Sequence, residues 1–147
     1  MTSPGLQTAI DEARIGLEEG GIPIGSALEI DGRIVGRGRN RRVQRGSAIL
    51  HGEMDALEDA GRLTASDYRR SIIYTTLSPC DMCSGAIILY GIPKVVIGEN
   101  RTFLGAEDHL RANGVEVEVV DDLRCVDMMR QFTAANPDLW DEDIGKG

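Results

Sequence analysis

The chain has 147 residues, 41% hydrophobic and 27% charged, a balance typical of a globular protein with one core of its own. We predict a single domain over residues 1–147. The net charge of −8 disfavours nonspecific nucleic-acid binding over the whole surface, although it leaves room for a local basic groove. Neither a signal-peptide pattern nor a long apolar run is visible, which predicts a cytoplasmic protein with no membrane partner.

Helical and strand patterns alternate from the start of the chain. A helix is predicted to begin at Pro4 and to end near Gly20, since proline suits the first helical position and glycine the end. Two strands follow within residues 24–38, and they flank Asp31 and Gly32, a dipeptide that strongly favours a hairpin turn. The chain therefore opens with a helix and an antiparallel strand pair.

The rest of the chain continues the alternation. An arginine-rich loop leads to a helix over residues 51–60, and the following segments are a strand at SIIYTT, a helix after Pro79, a strand at KVVIG, a short helix at AEDHLRAN, a strand at VEVEVV and a helix over residues 122–135. An acidic tail follows. The alternation predicts an α/β protein with one sheet and helices on both faces.

Cys80 and Cys83 stand three positions apart after Pro79, at the predicted turn from strand to helix. In the first turn of a helix, two residues at this spacing share a face near the positive end of the helix dipole, which favours thiolates. The chain's odd number of cysteines argues against a disulfide framework. The pattern by itself leaves open a redox dithiol, a structural zinc site and a catalytic metal site.

His51 and Glu53 decide among these alternatives. His-x-Glu followed by Pro-Cys-x-x-Cys is the signature of zinc nucleobase deaminases, in which one histidine and two cysteines bind the metal and the glutamate transfers protons. Three protein ligands leave the fourth position of a tetrahedral zinc open, as in a catalytic site. We predict one Zn²⁺ held by His51, Cys80 and Cys83, with Glu53 as the catalytic residue.

Two further residues are candidates for a fourth ligand. His109 lies in a polar helical stretch, where a surface position is expected, and Cys125 is expected to be a small core residue. A fourth ligand would make the metal site structural. The chain would then be a noncatalytic zinc-stabilised binding module, which we retain as the alternative from a different class of protein.

Motifs from nearly the whole chain point to one family. In order they are EGGIPIG, GRGRN, GSAILHGE, YTTLSPCDMCSGAIILYGIP, IGEN, VVDD and W-x-EDIG. Together they resemble the fungal-type cytosine deaminases of the cytidine deaminase superfamily. The resemblance implies a three-layer α/β/α sandwich with a mixed five-stranded sheet, a homodimer, one zinc per subunit and hydrolysis of a free pyrimidine base, most simply cytosine to uracil and ammonia.

The resemblance also implies the residues that contact the base. Asn40 and the backbone N–H of Gly52 would hold the carbonyl oxygen of the base. Ser78 would offer its backbone carbonyl to the amino group that leaves. Asp143, in the EDIG motif of the tail, would accept a hydrogen bond from a ring N–H.

Phe103 and Trp140 match the aromatic walls of the family's pocket. The chain departs from the family pattern directly after this tryptophan, where Asp141 replaces an aromatic residue. An altered lid of this kind leaves isocytosine, guanine or another amino-heterocycle as an alternative substrate.

A cluster of arginines makes a nucleic-acid partner an alternative to be considered. Arg37, Arg39, Arg41, Arg42 and Arg45 lie within nine positions, and tRNA adenosine deaminases share the zinc motifs. The acidic tail and the six aromatic residues of the whole chain offer a poor surface for tracking phosphates and stacking bases. We expect a solvated loop here and no nucleic-acid partner.

Overall fold

The structure, a computed structural model, describes residues 2–146 as a mixed five-stranded sheet with helices on both faces. The strands are β1 (Gly25–Ile30), β2 (Arg33–Arg39), β3 (Ser71–Leu77), β4 (Lys94–Glu99) and β5 (Glu116–Val119). The helices are α1 (Pro4–Glu18), α2 (Arg42–Arg45), α3 (Gly52–Ala60), α4 (Ala65–Arg69), α5 (Asp81–Tyr90), α6 (Glu107–Ala112), α7 (Leu123–Ala135) and α8 (Pro137–Asp143). This architecture confirms the predicted α/β/α sandwich.

The strand order in the sheet is β2-β1-β3-β4-β5. β1 runs antiparallel to β2 and to β3, whereas β3, β4 and β5 are parallel. Asp31 and Gly32 both have positive φ, 49° and 80°, as the predicted tight hairpin turn requires. The carboxyl ends of the parallel strands meet at one edge, where sheets of this kind bind their ligands.

Alternation along the strands divides the core into two layers. Leu28 and Ile73 belong to a cluster with apolar residues of α3, α5 and α6. Their chain neighbours Ala27 and Tyr74 belong to a second cluster, which includes apolar residues of α1 and α7. Because successive side chains of a strand point to opposite faces, a run of apolar residues fills both layers.

The first helix begins where the sequence predicted. Pro4 is its first residue, and the hydroxyl of Ser3 accepts a hydrogen bond from the backbone N–H of Leu6 at 3.4 Å. Gly20, with a φ of 83°, follows the end of the helix. Within the described residues, no helix reaches the length and apolarity that crossing a membrane needs.

Three short helices, α2, α4 and α8, lie in segments to which the sequence analysis assigned no helix. Each is too short to show a periodic apolar pattern. Residues at the N-terminus favour two of these helices. α4 begins with a capping box between Thr64 and Asp67, and α8 begins at Pro137, a residue suited to the first helical position. The third, α2, ends at Gly46, which has a φ of 58°.

A third apolar cluster fastens α8 to the body of the protein. It contains residues from the segment before β1, the end of β3 and the helices α7 and α8: Ile22, Ile24, Leu77, Met129, Phe132 and Trp140. The tail thereby packs against the carboxyl end of β3. That is also where the predicted metal ligands lie.

Candidate active site

Two helix N-termini bring the three predicted metal ligands together. His51 is the N-cap residue of α3, Cys80 is the N-cap residue of α5, and Cys83 lies in the first turn of α5. The helix α5 begins at Asp81, two residues after the predicted start at Pro79. The three ligand atoms nevertheless converge, and they lie within 4.8 Å of one another.

The spacing of these atoms fits zinc. His51 Nδ1 lies 3.4 Å from Cys80 Sγ and 3.7 Å from Cys83 Sγ. Typical Zn–N and Zn–S bonds in a tetrahedral site place the nitrogen and sulfur about 3.6 Å apart. One imidazole and two thiols are also a donor set that zinc prefers. His51, Cys80 and Cys83 can therefore hold the metal.

The thiols interact strongly with each other and with the imidazole. The hydrogen bond with Cys83 and the one with His51 lower the pKa of Cys80 to about 4, although burial opposes this. The same contact with Cys80, together with burial, raises the pKa of Cys83 well above its usual value. Burial lowers the pKa of His51, but contacts with Cys80 and Asp143 outweigh it and raise the pKa to about 9. The cluster thus favours a thiolate at Cys80, the form that binds a metal.

Glu53 is the second residue of α3 and lines the same pocket as His51 and Cys80. Its side chain is buried, and burial raises its pKa to about 7. A carboxyl group with a pKa near neutrality can both accept and release a proton. This is the property that the predicted proton carrier needs.

A pocket lies beside the ligands. It is lined by side chains from β3, α3, α5, α8 and the loops between them: Ile24, His51, Glu53, Leu77, Ser78, Cys80, Phe103, Trp140, Asp143 and Ile144. Half of these ten residues are apolar or aromatic, and the other half carry polar groups. A planar heterocycle with a small number of hydrogen-bonding atoms is the kind of ligand that such a pocket accepts.

Asn40 is fully buried and is not among the lining residues, but it forms a polar pair with Asp143, which lines the pocket. Asn40 Nδ2 donates to Asp143 Oδ1 at 2.9 Å, and both residues are buried. His51 Nε2 lies 3.4 Å from the same carboxylate oxygen. Burial raises the pKa of Asp143, while His51, Asn40 and Arg42 oppose the increase. Asp143 therefore joins the tail to the histidine ligand and to the predicted base contact.

Ser78 follows the end of β3 and is held from two sides. Its hydroxyl donates to Glu107 Oε2 at 2.7 Å and accepts from the backbone N–H of Gly105 at 2.9 Å. Its own backbone N–H donates to the carbonyl of Glu99 at 3.0 Å. These contacts fix the peptide whose carbonyl is predicted to meet the amino group of the base.

Phe103 and Trp140 meet at the pocket wall with their rings nearly perpendicular. The ring centroids lie 6.1 Å apart at an interplanar angle of 84°. Trp140 is 9% exposed and belongs to the apolar cluster that fastens α8. The tryptophan thus both anchors the tail and lines the pocket.

Comparison with known proteins identifies the family. The family profile described as the cytidine and deoxycytidylate deaminase zinc-binding region matches residues 3–99, which include all three metal ligands. The chain belongs to this family. Cytosine deaminase from Candida albicans is 54% identical to this deaminase over 143 residues, which cover 97% of the chain and 95% of the relative.

Two other relatives are more distant. A tRNA-specific adenosine deaminase from Streptococcus pyogenes is 39% identical over 109 residues, which cover 71% of this deaminase and 67% of the relative. The solved structure of guanine deaminase from Nitrosomonas europaea superposes with a TM-score of 0.72 at 21% identity, covering 91% and 86% of the two chains. This last likeness shows a common fold.

The family sets the class of chemistry. The deaminase is a zinc-dependent hydrolase that acts on a carbon–nitrogen bond. This confirms the enzyme class, the cofactor and the resemblance that the motifs predicted. The zinc-binding region of the family and the converging donor atoms of His51, Cys80 and Cys83 agree.

Neither candidate for a fourth ligand lies in this metal cluster. His109 is exposed near the end of α6, as expected of a surface residue. Cys125 is 1% exposed and packs in the core layer with residues of α1, and burial raises the pKa of its thiol to about 12. The cluster of His51, Cys80 and Cys83 therefore has the three-ligand form of a catalytic site.

The arginine cluster is largely engaged in contacts within the chain. Arg37 and Arg39 bind Glu12 at 2.8 and 2.9 Å, and Arg39 also binds Glu19 at 2.9 Å. Arg41 and Arg42 are paired with carboxylates as well. Charges that are neutralised in this way are poor phosphate contacts. The segment is thus a set of internal ion pairs, whereas the sequence analysis expected a solvated loop.

The sequence analysis missed three apolar residues of the pocket: Ile24, Leu77 and Ile144. Each lies inside a motif that carried the family resemblance, but an isoleucine or leucine beside a strand is also a normal core residue. Gly52 packs against Ile24, since a Cβ at Gly52 would lie 3.2 Å from the carbonyl of Ile24. The predicted contact of the Gly52 N–H with the base stays a prediction.

Proposed function

We propose that residues 1–147 form a single-domain enzyme that hydrolyses free cytosine to uracil and ammonia. The observation that carries this proposal is the buried pair of Asn40 and Asp143 beside the metal ligands, in a chain 54% identical to a cytosine deaminase. An amide and a carboxylate together match the carbonyl oxygen and the ring N1–H of cytosine. The proposal makes Glu53 the catalytic residue and the pocket residues the binding site.

Zinc, when bound by His51, Cys80 and Cys83, supplies the Lewis acidity that activates the attacking water. Glu53 takes a proton from that water and delivers it to ring N3, which makes C4 a better electrophile. As the water oxygen adds to C4, Glu53 takes the second proton, from the hydroxyl now on C4, and gives it to the amino group, so that the C4–N bond breaks and uracil and ammonia are released. The raised pKa of Glu53, about 7, supports this because the same carboxyl must first accept and later donate.

The remaining predicted contacts orient the base. The second hydrogen of the Asn40 amide donates to the carbonyl at C2, aided by the Gly52 N–H, and the Ser78 carbonyl accepts from the amino group at C4. Asp143 accepts from N1–H. Phe103 and Trp140 enclose the ring and exclude water, which strengthens these polar contacts.

The proposed role of Asp143 predicts strong rejection of nucleosides. In cytidine the sugar replaces the hydrogen on N1, so the buried carboxylate would lose its partner and the ribose would press against α8. A site built around a hydrogen bond that the wrong substrate lacks can discriminate by about 10⁴ to 10⁵ in kcat/KM. Free base is therefore expected to be the substrate.

A panel of candidate substrates tests the proposal. The purified zinc enzyme is incubated with cytosine, isocytosine, guanine, cytidine and adenine, and ammonia release is measured for each. We expect cytosine to give the highest kcat/KM. Preference for guanine or isocytosine would overturn the assigned base and leave the zinc chemistry intact, whereas preference for cytidine would refute the pocket.

The tRNA relatives make an anticodon stem–loop a useful sixth member of the panel. The ion pairs that occupy four of the five clustered arginines argue against this substrate. We expect no inosine in the RNA after incubation. Inosine formation without deamination of free cytosine would replace the proposed function.

We also propose that the enzyme is a homodimer. Large apolar side chains are exposed on α5 and the nearby loops, with relative exposures of 74% for Leu89, 56% for Ile49 and 67% for Leu104. Apolar surface of this kind favours association with a second copy. Sedimentation at micromolar concentration is expected to show about 32 kDa, twice the 15.9 kDa of the chain, and a monomer would contradict the proposal.

A cytoplasmic location is a further proposal. Cys80, Cys83 and Cys125 are all free thiols. A reducing compartment keeps two of them available for zinc, whereas an oxidising one would favour a bond between them. Cell fractionation followed by the cytosine assay would locate the activity.

A further inference from the structure

Asp55 holds both neighbours of Asn40 with one oxygen atom. The backbone N–H of Arg39 and the Nε–H of Arg41 each donate to Asp55 Oδ2 at 2.9 Å. Asp55 itself is buried, with 7% exposure, and Arg41 is partly covered. Asn40 is thus clamped on either side by contacts that neither the pocket nor the metal site explains.

We propose that Asp55 is a positioning residue that holds the amide of Asn40 in place for the carbonyl of the base. This inference rests on the proposed function, because it takes Asn40 as the residue that binds that carbonyl. Asp55 itself lies outside the pocket lining and acts through the segment 39–41.

The need for such an anchor follows from the place of β2 in the sheet. β2 is an edge strand, so its outward N–H groups have no neighbouring strand to bind. Asp55 takes the outward N–H of Arg39, and Asp59, one turn later on α3, takes that of Arg37 at 2.9 Å. Asp55 and Asp59 are four residues apart, which is about 6 Å along a helix. Arg37 and Arg39 are two residues apart, which is about 7 Å along a strand. The spacing of the two carboxylates therefore matches the spacing of the two N–H groups.

Close packing of α3 on β2 lets the short Asp55 side chain reach the strand. A Cβ at Gly38 would lie 2.4 Å from the backbone nitrogen of Ala56, a distance that no side chain tolerates. Glycine at this position therefore permits the helix to approach. The same helix carries His51 and Glu53 at its start, so one rigid element sets the metal ligand, the proton carrier and the anchor of Asn40.

Asp59 provides a matched control, since it makes the same kind of contact one turn farther from Asn40 and is exposed. In Asp55→Ala, we expect KM for cytosine to rise about tenfold, the effect of one lost substrate hydrogen bond, with kcat changed less than about twofold. Asp59→Ala should leave KM within about twofold of the parent. Equal effects of the two variants would overturn the proposal.

An analogue without the carbonyl separates positioning from a general structural role. 4-Aminopyrimidine lacks the oxygen that Asn40 would hold, and also the N1–H from which Asp143 would accept, so it should bind more weakly than cytosine but with the same competitive inhibition constant for the parent and for Asp55→Ala. A parallel rise in this constant and in the KM for cytosine would mean that the whole pocket is disturbed, and it would overturn the proposal.

Because Asp55 is buried, Asp55→Ala also lowers the free energy of unfolding. Zinc content and circular dichroism therefore establish that the variant is folded before its KM is compared. Asp55→Asn is the second variant. It keeps an acceptor oxygen of the same size for the Arg39 N–H, so its KM should fall between the parent and Asp55→Ala. An asparagine variant no better than the alanine variant would contradict the backbone anchor.

Amide hydrogen exchange tests the anchor without any substrate. Exchange of the Arg39 N–H should be faster in Asp55→Ala than in the parent and unchanged in Asp59→Ala; identical rates in all three would overturn the anchor.

Failure of the parent to deaminate cytosine would instead reject the proposed function. The KM comparison would then use whichever carbonyl-bearing base of the panel is deaminated.

Discussion

The metal-binding half of the pocket and the base-binding half are built in different ways. The spacing of Cys80 and Cys83 at the start of one helix brings these two donors close, and His51, 29 residues before Cys80, joins them from the start of another helix. The proposed base-binding half joins Asn40 at the end of an edge strand to Asp143 near the end of the chain, 103 residues away. The first half depends partly on local helix geometry, whereas the second depends entirely on how distant segments pack.

The two halves also rest on different forces. A bound zinc would hold its three ligands together, and hydrogen bonds with Cys83 and His51 favour a thiolate at Cys80. The position of Asp143 depends on α8, a short helix that is held by Trp140 in an apolar cluster. Substitutions in the base-binding half should therefore change substrate handling while the zinc stays bound.

The largest expected effect separates proton transfer from metal binding. Glu53→Ala should lower kcat by at least about 10² to 10⁴, equivalent to about 3 to 5 kcal/mol, while about one zinc per chain is retained. Metal analysis and the ammonia assay measure the two quantities on the same sample. Loss of zinc together with activity would show that Glu53 belongs to the metal-binding half.

Asp143→Asn tests the base-binding half with a smaller effect. It keeps the size of the side chain but removes the charge, and hydrogen bonds to charged groups are worth about 1.5 to 3 kcal/mol. We expect kcat/KM for cytosine to fall about ten- to a hundredfold, with zinc content unchanged. An unaltered kcat/KM would show that Asp143 is a solvated acid of the tail that does not touch the base.

Cys125→Ser tests whether zinc has only three protein ligands or whether Cys125 is a fourth. We expect full zinc content and full activity, because the thiol is 1% exposed in the core and lies outside the cluster. Burying a hydroxyl among apolar side chains should cost about 1 to 3 kcal/mol in unfolding free energy, measured by urea denaturation. Zinc loss from the folded variant would restore the structural-metal hypothesis.

The smallest expected effect concerns the ion pairs behind Asn40. The hydrogen bond with Arg39 lowers the pKa of Glu19 from 4.5 to about 2. A depressed carboxyl pKa stabilises the folded state above pH about 4.5, and this contribution is lost as the pH falls toward 2. The group is 39% exposed on its side chain, so solvent screening limits the contribution to less than about 1 kcal/mol.

Glu19→Gln should remove that pH-dependent contribution. The unfolding free energies of parent and variant should differ near neutral pH and converge as the pH falls below 4.5 toward about 2. Urea denaturation at several pH values gives both. A difference that grows as the pH falls would have the wrong sign for this ion pair.

The sequence by itself determined the sheet, the longer helices and the metal site. Apolar alternation and turn residues such as Asp31 and Gly32 predict strands because they act over a few neighbours. The helix-start motifs with His51, Glu53 and the two cysteines specify the chemistry for the same reason. The proposed base contacts, Asn40 and Asp143, were predicted from a family resemblance and not from any local pattern.

Only the tertiary structure decided which charges are free and which are held. A run of arginines looks like a solvated or phosphate-binding loop until Glu12, Glu19 and Asp55 are seen to pair with it. Short helices such as α8 and apolar wall residues such as Ile144 likewise have no periodic signal of their own. Pairing and burial join residues far apart in the chain, and local propensity contains no information about such distances.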